Sequence, residues 1–103
     1  MKQVNQVEFE ETIKNGYTLV DFFATWCGPC KMLSPVLEEL DNEFAEVDFI
    51  KVDVDEENDL AAKFGIMSIP TVYLFKDGEV VSKTGGFQPK AQMKKFIESS
   101  LNK

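Results

Sequence analysis

The 103-residue chain reads as an α/β protein with a mixed central sheet and helices on both faces. Three observations predict this class. Strand-like and helix-like patterns alternate along almost the whole chain. Thr18 to Ala24 is a nearly continuous apolar run rich in β-formers, the mark of a strand covered on both sides. Near the end, Lys76-Asp77-Gly78 joins two strand patterns through a tight hairpin signal, whereas the first half is built from β-α-β units with right-handed crossovers.

Taken in order, residues 2–6 are expected to form a short edge strand. Glu8 to Asn15 is a helix with acids in its first turn and Gly16 as its stop. The buried strand Thr18–Ala24 follows. Gly28 to about Phe44 is a long helix, with Met32, Leu33, Val36, Leu37, Leu40 and Phe44 at three- and four-residue spacings. Pro35 lies inside it, and the missing N–H is expected to kink the helix rather than end it. Val47 to Val54 is a third strand, and Asn58 to Phe64 a short helix stopped by Gly65. Thr71–Phe75 and Glu79–Lys83 form the hairpin. Gln88 to Leu101 is an amphipathic helix, burying Met93, Phe96, Ile97 and Leu101, with Pro89 near its start. The order is β-α-β-α-β-α-β-β-α.

Residues 1–103 are expected to form one domain, large enough to bury a core without covalent staples. The 44% hydrophobic content and nine Phe agree. A formal net charge of −7 argues against a nucleic-acid partner. No apolar run approaches a membrane span, and Met1 to Glu10 lacks the apolar core of a signal peptide. A cytoplasmic protein is expected, in a compartment where structural disulfides are rare. The chain contains no His, which excludes Cys–His pairs, Ser–His triads and His-ligated metal.

The only cysteines are Cys27 and Cys30, in Cys27-Gly28-Pro29-Cys30, between a strand pattern and a helix pattern. A ring this small gains only about 2 kcal/mol from chain entropy, against about 3 for a 15-residue loop. A dithiol that opens and closes explains the pair better than a staple. At a helix N-cap, the Cys27 sulfur can accept first-turn N–H groups and sits at the positive end of the helix dipole. Both effects favour thiolate, the attacking species in disulfide exchange. Cys30 lies one turn on, within bonding reach of Cys27. Gly28 permits close approach, Pro29 suits a first turn, and Lys31 adds positive charge. The expected sequence is attack by Cys27 on a target disulfide, then attack by Cys30 on the mixed disulfide. A zinc site would have to be completed by carboxylates, and no metal is expected.

The segment Val20-Asp21-Phe22-Phe23-Ala24-Thr25-Trp26-Cys27-Gly28-Pro29-Cys30-Lys31 resembles the active-site segment of the thioredoxin family. Pro35, Lys51-Val52-Asp53-Val54-Asp55, Gly65-Ile66, Ile69-Pro70-Thr71, Phe75-Lys76-Asp77-Gly78 and Gly85 extend the likeness over nearly the whole chain. The resemblance implies a thioredoxin fold and a protein-disulfide reductase with Cys27/Cys30 as its redox-active disulfide. It also implies an NADPH-dependent thioredoxin reductase as electron donor, disulfide-bearing proteins as substrates, a monomer, and no bound cofactor. The Gly-Pro dipeptide points to a reductant, since related isomerases and oxidants usually carry a His there.

The resemblance also assigns supporting residues. Asp21 would lie beneath the dithiol and exchange a proton with Cys30, and burial in an apolar strand would raise its pKa. Lys51 would favour the charged form of that Asp. Ile69–Pro70 would be a cis peptide facing the dithiol, with the Ile69 backbone free to pair with an extended substrate segment. Trp26, Gly28, Pro29, Ile69, Pro70, Gly85 and Gly86 would form the substrate-binding surface. Phe23, Met67 and Phe87 depart from the commonest family pattern, which bears on partner preference rather than chemistry. The acidic run Asp53 to Asp59 starts like a calcium loop, but Asn58 and Phe64 occupy the positions that need Gly and Glu, so no calcium site is expected. Two other roles are compatible with the fold: a binding subunit without redox turnover, and an oxidase or isomerase of an oxidising compartment.

Overall fold

The computed structural model describes residues 1–102. The elements follow the expected order: β1 (Lys2–Gln3), α1 (Gln6–Ile13), β2 (Tyr17–Phe23), α2 (Gly28–Glu43), β3 (Val47–Asp53), α3 (Asn58–Lys63), β4 (Thr71–Lys76), β5 (Glu79–Gly85) and α4 (Lys90–Ser100). They build a five-stranded sheet in the order β1-β3-β2-β4-β5. β3 runs parallel to both β1 and β2. β4 runs antiparallel to β2 and β5. The central strand β2 is thus paired on both edges and covered on both faces, as its unbroken apolar run requires.

Boundaries differ where caps decide them. The first strand is two residues long instead of five, because Asn5 caps α1. Its side chain accepts the Glu8 N–H at 2.9 Å, and the Glu8 carboxylate accepts the Asn5 N–H at 3.2 Å. This reciprocal box starts α1 at Gln6, two residues earlier than expected. α4 begins after Pro89, whose φ of −65° and ψ of 162° make it the extended cap residue. β5 runs on to Gly85 because Thr84 and Gly85 still pair with Val72 and Thr71. α2 continues through Pro35. Met32, one of the apolar residues at helical spacing, is exposed. The buried stripe is Cys30, Leu33, Leu37 and Leu40, and Met32 lies off it.

The hairpin turn places Asp77 at φ 49° and Gly78 at φ 89°, the left-handed pair that a two-residue turn between twisted strands needs. Asp77 also exchanges two hydrogen bonds with Gly16, which fixes the hairpin tip to the start of β2.

Alternation along the strands separates two cores. On one face, Leu19, Phe49, Val72 and Leu74 pack under Leu33, Leu37 and Leu40 of α2 and Met93 and Ile97 of α4. On the other, Val20, Phe22, Ile50, Val52, Tyr73 and Phe75 pack under Phe9 of α1 and Leu60 of α3. This second core is aromatic. Phe9 meets Phe64 and Phe75 edge-on at 5.5 and 5.6 Å, and Phe22 meets Tyr73 at 5.4 Å. No helix among the described residues is long and apolar enough to cross a membrane.

Candidate active site

β2 delivers the chain to the start of α2, and Cys27 occupies the N-cap. Its backbone is extended, at φ −88° and ψ 113°, and Pro29 stands in the first turn. The Cys30 N–H donates to the Cys27 sulfur at 3.2 Å. The two sulfurs are joined as a disulfide with a Cα–Cα separation of 5.3 Å. Both residues are 4% exposed, so accessibility does not distinguish them in this oxidised state. Position does: only Cys27 receives a helix-start N–H, the interaction that stabilises a thiolate after reduction.

Asp21 lies on β2 with 2% exposure, and its Oδ1 has no hydrogen-bond partner. Desolvation pushes its carboxyl up from 3.8 to about 7, with the Lys51 charge pulling the other way. Asp21 and Lys51 are register partners on β2 and β3, so their side chains share a face. Lys51 makes no direct ion pair with Asp21; its Nζ sits over the Phe23 ring, 5.3 Å from the centroid. The Lys51 charge favours the ionised acid, but burial outweighs it. A cavity of about 230 Å³ is lined by Asp21, Lys51, Cys30, Lys31 and Ser34, among others. Ser34 was not singled out from the sequence, although its place four residues after Cys30 puts it on the same helix face.

The apolar rim is built from two loops. Trp26 is 68% exposed, and its indole N–H donates to Asp55 at 2.8 Å. The acidic run therefore has a local use that the sequence did not reveal. Asp53 Oδ1 accepts the Asp55 and Glu56 N–H groups at 2.8 and 3.3 Å, shaping the turn that presents Asp55. Trp26, Val54, Ile66, Met67 and Ile69 line a second cleft of about 190 Å³. Met67 is 97% exposed. Ile69 packs against the cysteine cluster, and the Ile69–Pro70 peptide is cis. The Gly86 N–H donates to the Pro70 carbonyl at 2.9 Å, and Gly86 adopts φ 81°, a conformation that favours glycine. Gly28, Pro29, Gly85 and Gly86 are exposed, whereas Pro70 is buried.

A cysteine that caps a helix, bonded to a second one turn along that shares a cavity with an unpartnered buried acid, suits reversible exchange between dithiol and disulfide. The architecture and this centre define a thiol–disulfide oxidoreductase. Known proteins agree. The family model for thioredoxin matches residues 1–99. A thioredoxin of Staphylococcus haemolyticus is 52% identical over 100 residues, covering 96% of each chain. One from Staphylococcus aureus is 48% identical over the same span, also with 96% of each chain covered. Among solved structures, a Plasmodium falciparum thioredoxin superposes with a TM-score of 0.91 at 40% identity, over 96% of this chain and 98% of that one. Mitochondrial thioredoxin 3 of Saccharomyces cerevisiae, in its oxidized form, gives 0.85 at 40% identity, over 95% and 94%. The chain belongs to the thioredoxin family, has its fold, and is a protein-disulfide oxidoreductase.

Proposed function

We propose that this protein reduces protein disulfides, with Cys27 as nucleophile and Cys30 as resolving thiol. The single observation that carries the assignment of roles is the helix-capping contact from the Cys30 N–H to the Cys27 sulfur. Reduced Cys27 attacks one sulfur of a substrate disulfide, releasing one substrate thiolate and forming a mixed disulfide. Cys30 then loses its proton and attacks Cys27. The second substrate thiolate departs, and the Cys27–Cys30 disulfide forms.

Asp21 takes the Cys30 proton, a role supported by its burial near neutral pKa on the cavity wall it shares with Cys30. Lys51 tunes that acid through space. Trp26, Gly28, Pro29, Ile69, Gly85 and Gly86 form the surface that meets the substrate, with the Ile69 backbone offered to an extended segment and the buried Pro70 contributing the cis peptide that follows it. Electrons come from an NADPH-dependent thioredoxin reductase, as befits a chain with no dinucleotide fingerprint of its own. The protein acts as a single-domain monomer in the cytoplasm.

Insulin-disulfide reduction with dithiothreitol tests the reading. Wild type should accelerate it, whereas Cys27→Ser and Cys30→Ser should not sustain turnover. Cys30→Ser should instead accumulate mixed disulfides with its substrates. Absence of acceleration by wild type would overturn the reductase assignment. Equilibration with glutathione tests the direction: a strong preference for the reduced dithiol would mark an oxidant instead.

A further inference from the structure

The helices carry hydroxyl side chains at Thr12, Ser34, Ser99 and Ser100. Three of them return their hydrogen bond to the carbonyl four residues back: Thr12 to Glu8, Ser99 to Lys95 and Ser100 to Phe96, at 2.6 to 2.8 Å. That is the default for a hydroxyl inside a helix. Ser34 is the exception. It is half-buried, its hydroxyl makes no hydrogen bond among the described residues, and it lines the cavity shared by Asp21, Cys30 and Lys51. Two polar groups without partners, the Ser34 hydroxyl and Asp21 Oδ1, thus belong to one small cavity beside the resolving sulfur. Its volume of about 230 Å³ exceeds what one water occupies, about 30 Å³ in the liquid.

We propose that Ser34 is a positioning residue for the resolving step, its hydroxyl holding a water that links the Cys30 thiol to the Asp21 carboxylate. The inference rests on the reductase reading above and deepens it. In the mixed disulfide, the Cys30 S–H gives its proton to the water, which passes one of its own to Asp21 Oδ1. The Cys30 sulfur forms its bond to Cys27 as the bond from Cys27 to the substrate sulfur breaks. The substrate thiolate leaves with that electron pair and is protonated by solvent. Ser34 keeps its own proton throughout and serves to orient the water. The charged groups facing the path are Asp21 on β2, Lys51 on β3 and Lys31 on α2.

The test uses Ser34→Ala and Ser34→Thr in the full chain. Because the Ser34 hydroxyl makes no hydrogen bond among the described residues and alanine favours helix, Ser34→Ala should melt no lower than wild type. Two steps are timed separately across a pH series: alkylation of reduced Cys27 by iodoacetamide, and release of a chromogenic thiol from a preformed mixed disulfide on Cys27. Ser34→Ala should alkylate at the wild-type rate but resolve roughly tenfold more slowly near neutral pH, a part of the ~10²–10⁴ that a positioned acid–base pair supplies. The deficit should shrink at alkaline pH, where Cys30 ionises unaided. Ser34→Thr, which restores a hydroxyl, should recover most of the rate. In an Asp21→Asn background, Ser34→Ala should add nothing further. Wild-type resolution rate and pH profile in Ser34→Ala would overturn the inference. So would a deficit that persists in Ser34→Thr or in the Asp21→Asn background. Neither result touches the reductase reading, which fails only if wild type itself does not turn over.

Discussion

On the α1/α3 face of the sheet, the strand positions Val20, Phe22, Ile50 and Val52 are apolar, and aromatic rings close the space above them. The α2/α4 face begins the same way, with Leu19 beside Phe49. One step further along the same strands it changes character: the next pair is Asp21 and Lys51, beside a cavity that reaches Cys30. The strands are shared, and only residue parity separates the faces. One face is spent entirely on packing. The other gives up a core position to a desolvated acid on the cavity that Cys30 also lines, the acid proposed above to take the Cys30 proton. A fold of marginal stability tolerates one such costly position when the opposite face carries a deeply buried apolar core.

Substitutions on each face should separate these two tasks. The largest effect is expected from Cys27→Ser, which should lower insulin reduction to the uncatalysed background. The reduced variant should nevertheless match reduced wild type in its urea midpoint, since neither core is touched. A large loss of stability would break the comparison by showing that the redox end also carries packing.

Phe22→Ala should do the opposite. Removing a fully buried ring from the aromatic face should cost about 3–5 kcal/mol in denaturant unfolding. In the fraction that remains folded, Cys27 alkylation should keep its wild-type rate. A changed thiol reactivity would show that the faces communicate.

Asp21→Asn sharpens the contrast through pH. The folded-state pKa of Asp21, about 7, lies above the unfolded value of 3.8, so the native protein holds that proton more tightly. Below the unfolded pKa the acid is protonated in both states and the penalty is absent. The penalty grows as pH rises between the two values and is complete above about 7, where it amounts to about 4 kcal/mol at most. Oxidised Asp21→Asn should therefore be more stable than oxidised wild type at about pH 8 and match it at about pH 3. The same variant should resolve mixed disulfides slowly. Equal stability at both pH values would show that Asp21 is solvated.

The smallest effect is expected at Asn5, remote in sequence from the cysteines. Asn5→Ala removes the α1 cap and should cost about 1 kcal/mol, or roughly 4–8 °C in Tm, with insulin reduction unchanged. It calibrates how far a purely local defect on the packing side reaches.

The chain alone determined the element order, the mixed sheet, the buried central strand and the placement of Cys27 at a helix start. Each rests on short-range physics: hydrophobic period, turn chemistry and capping, all written within a few residues. Asn5 and Glu8 carried the same kind of local signal for α1, in the Asn-x-x-Glu spacing. The burial of Asp21 followed from the apolar run of its strand, whereas the cis state of Ile69–Pro70 and the roles proposed for Asp21 and Lys51 were legible only through family resemblance, because the isomer and the proton path depend on what packs around them. Three matters required the folded chain. Burial was found to outweigh Lys51 at Asp21; Asp55 became the acceptor for Trp26; and Ser34 was left facing Asp21's cavity without a hydrogen bond. The reason is common to all three: desolvation and hydrogen-bond pairing are set by neighbours brought from distant positions, and no local pattern encodes the space left between them.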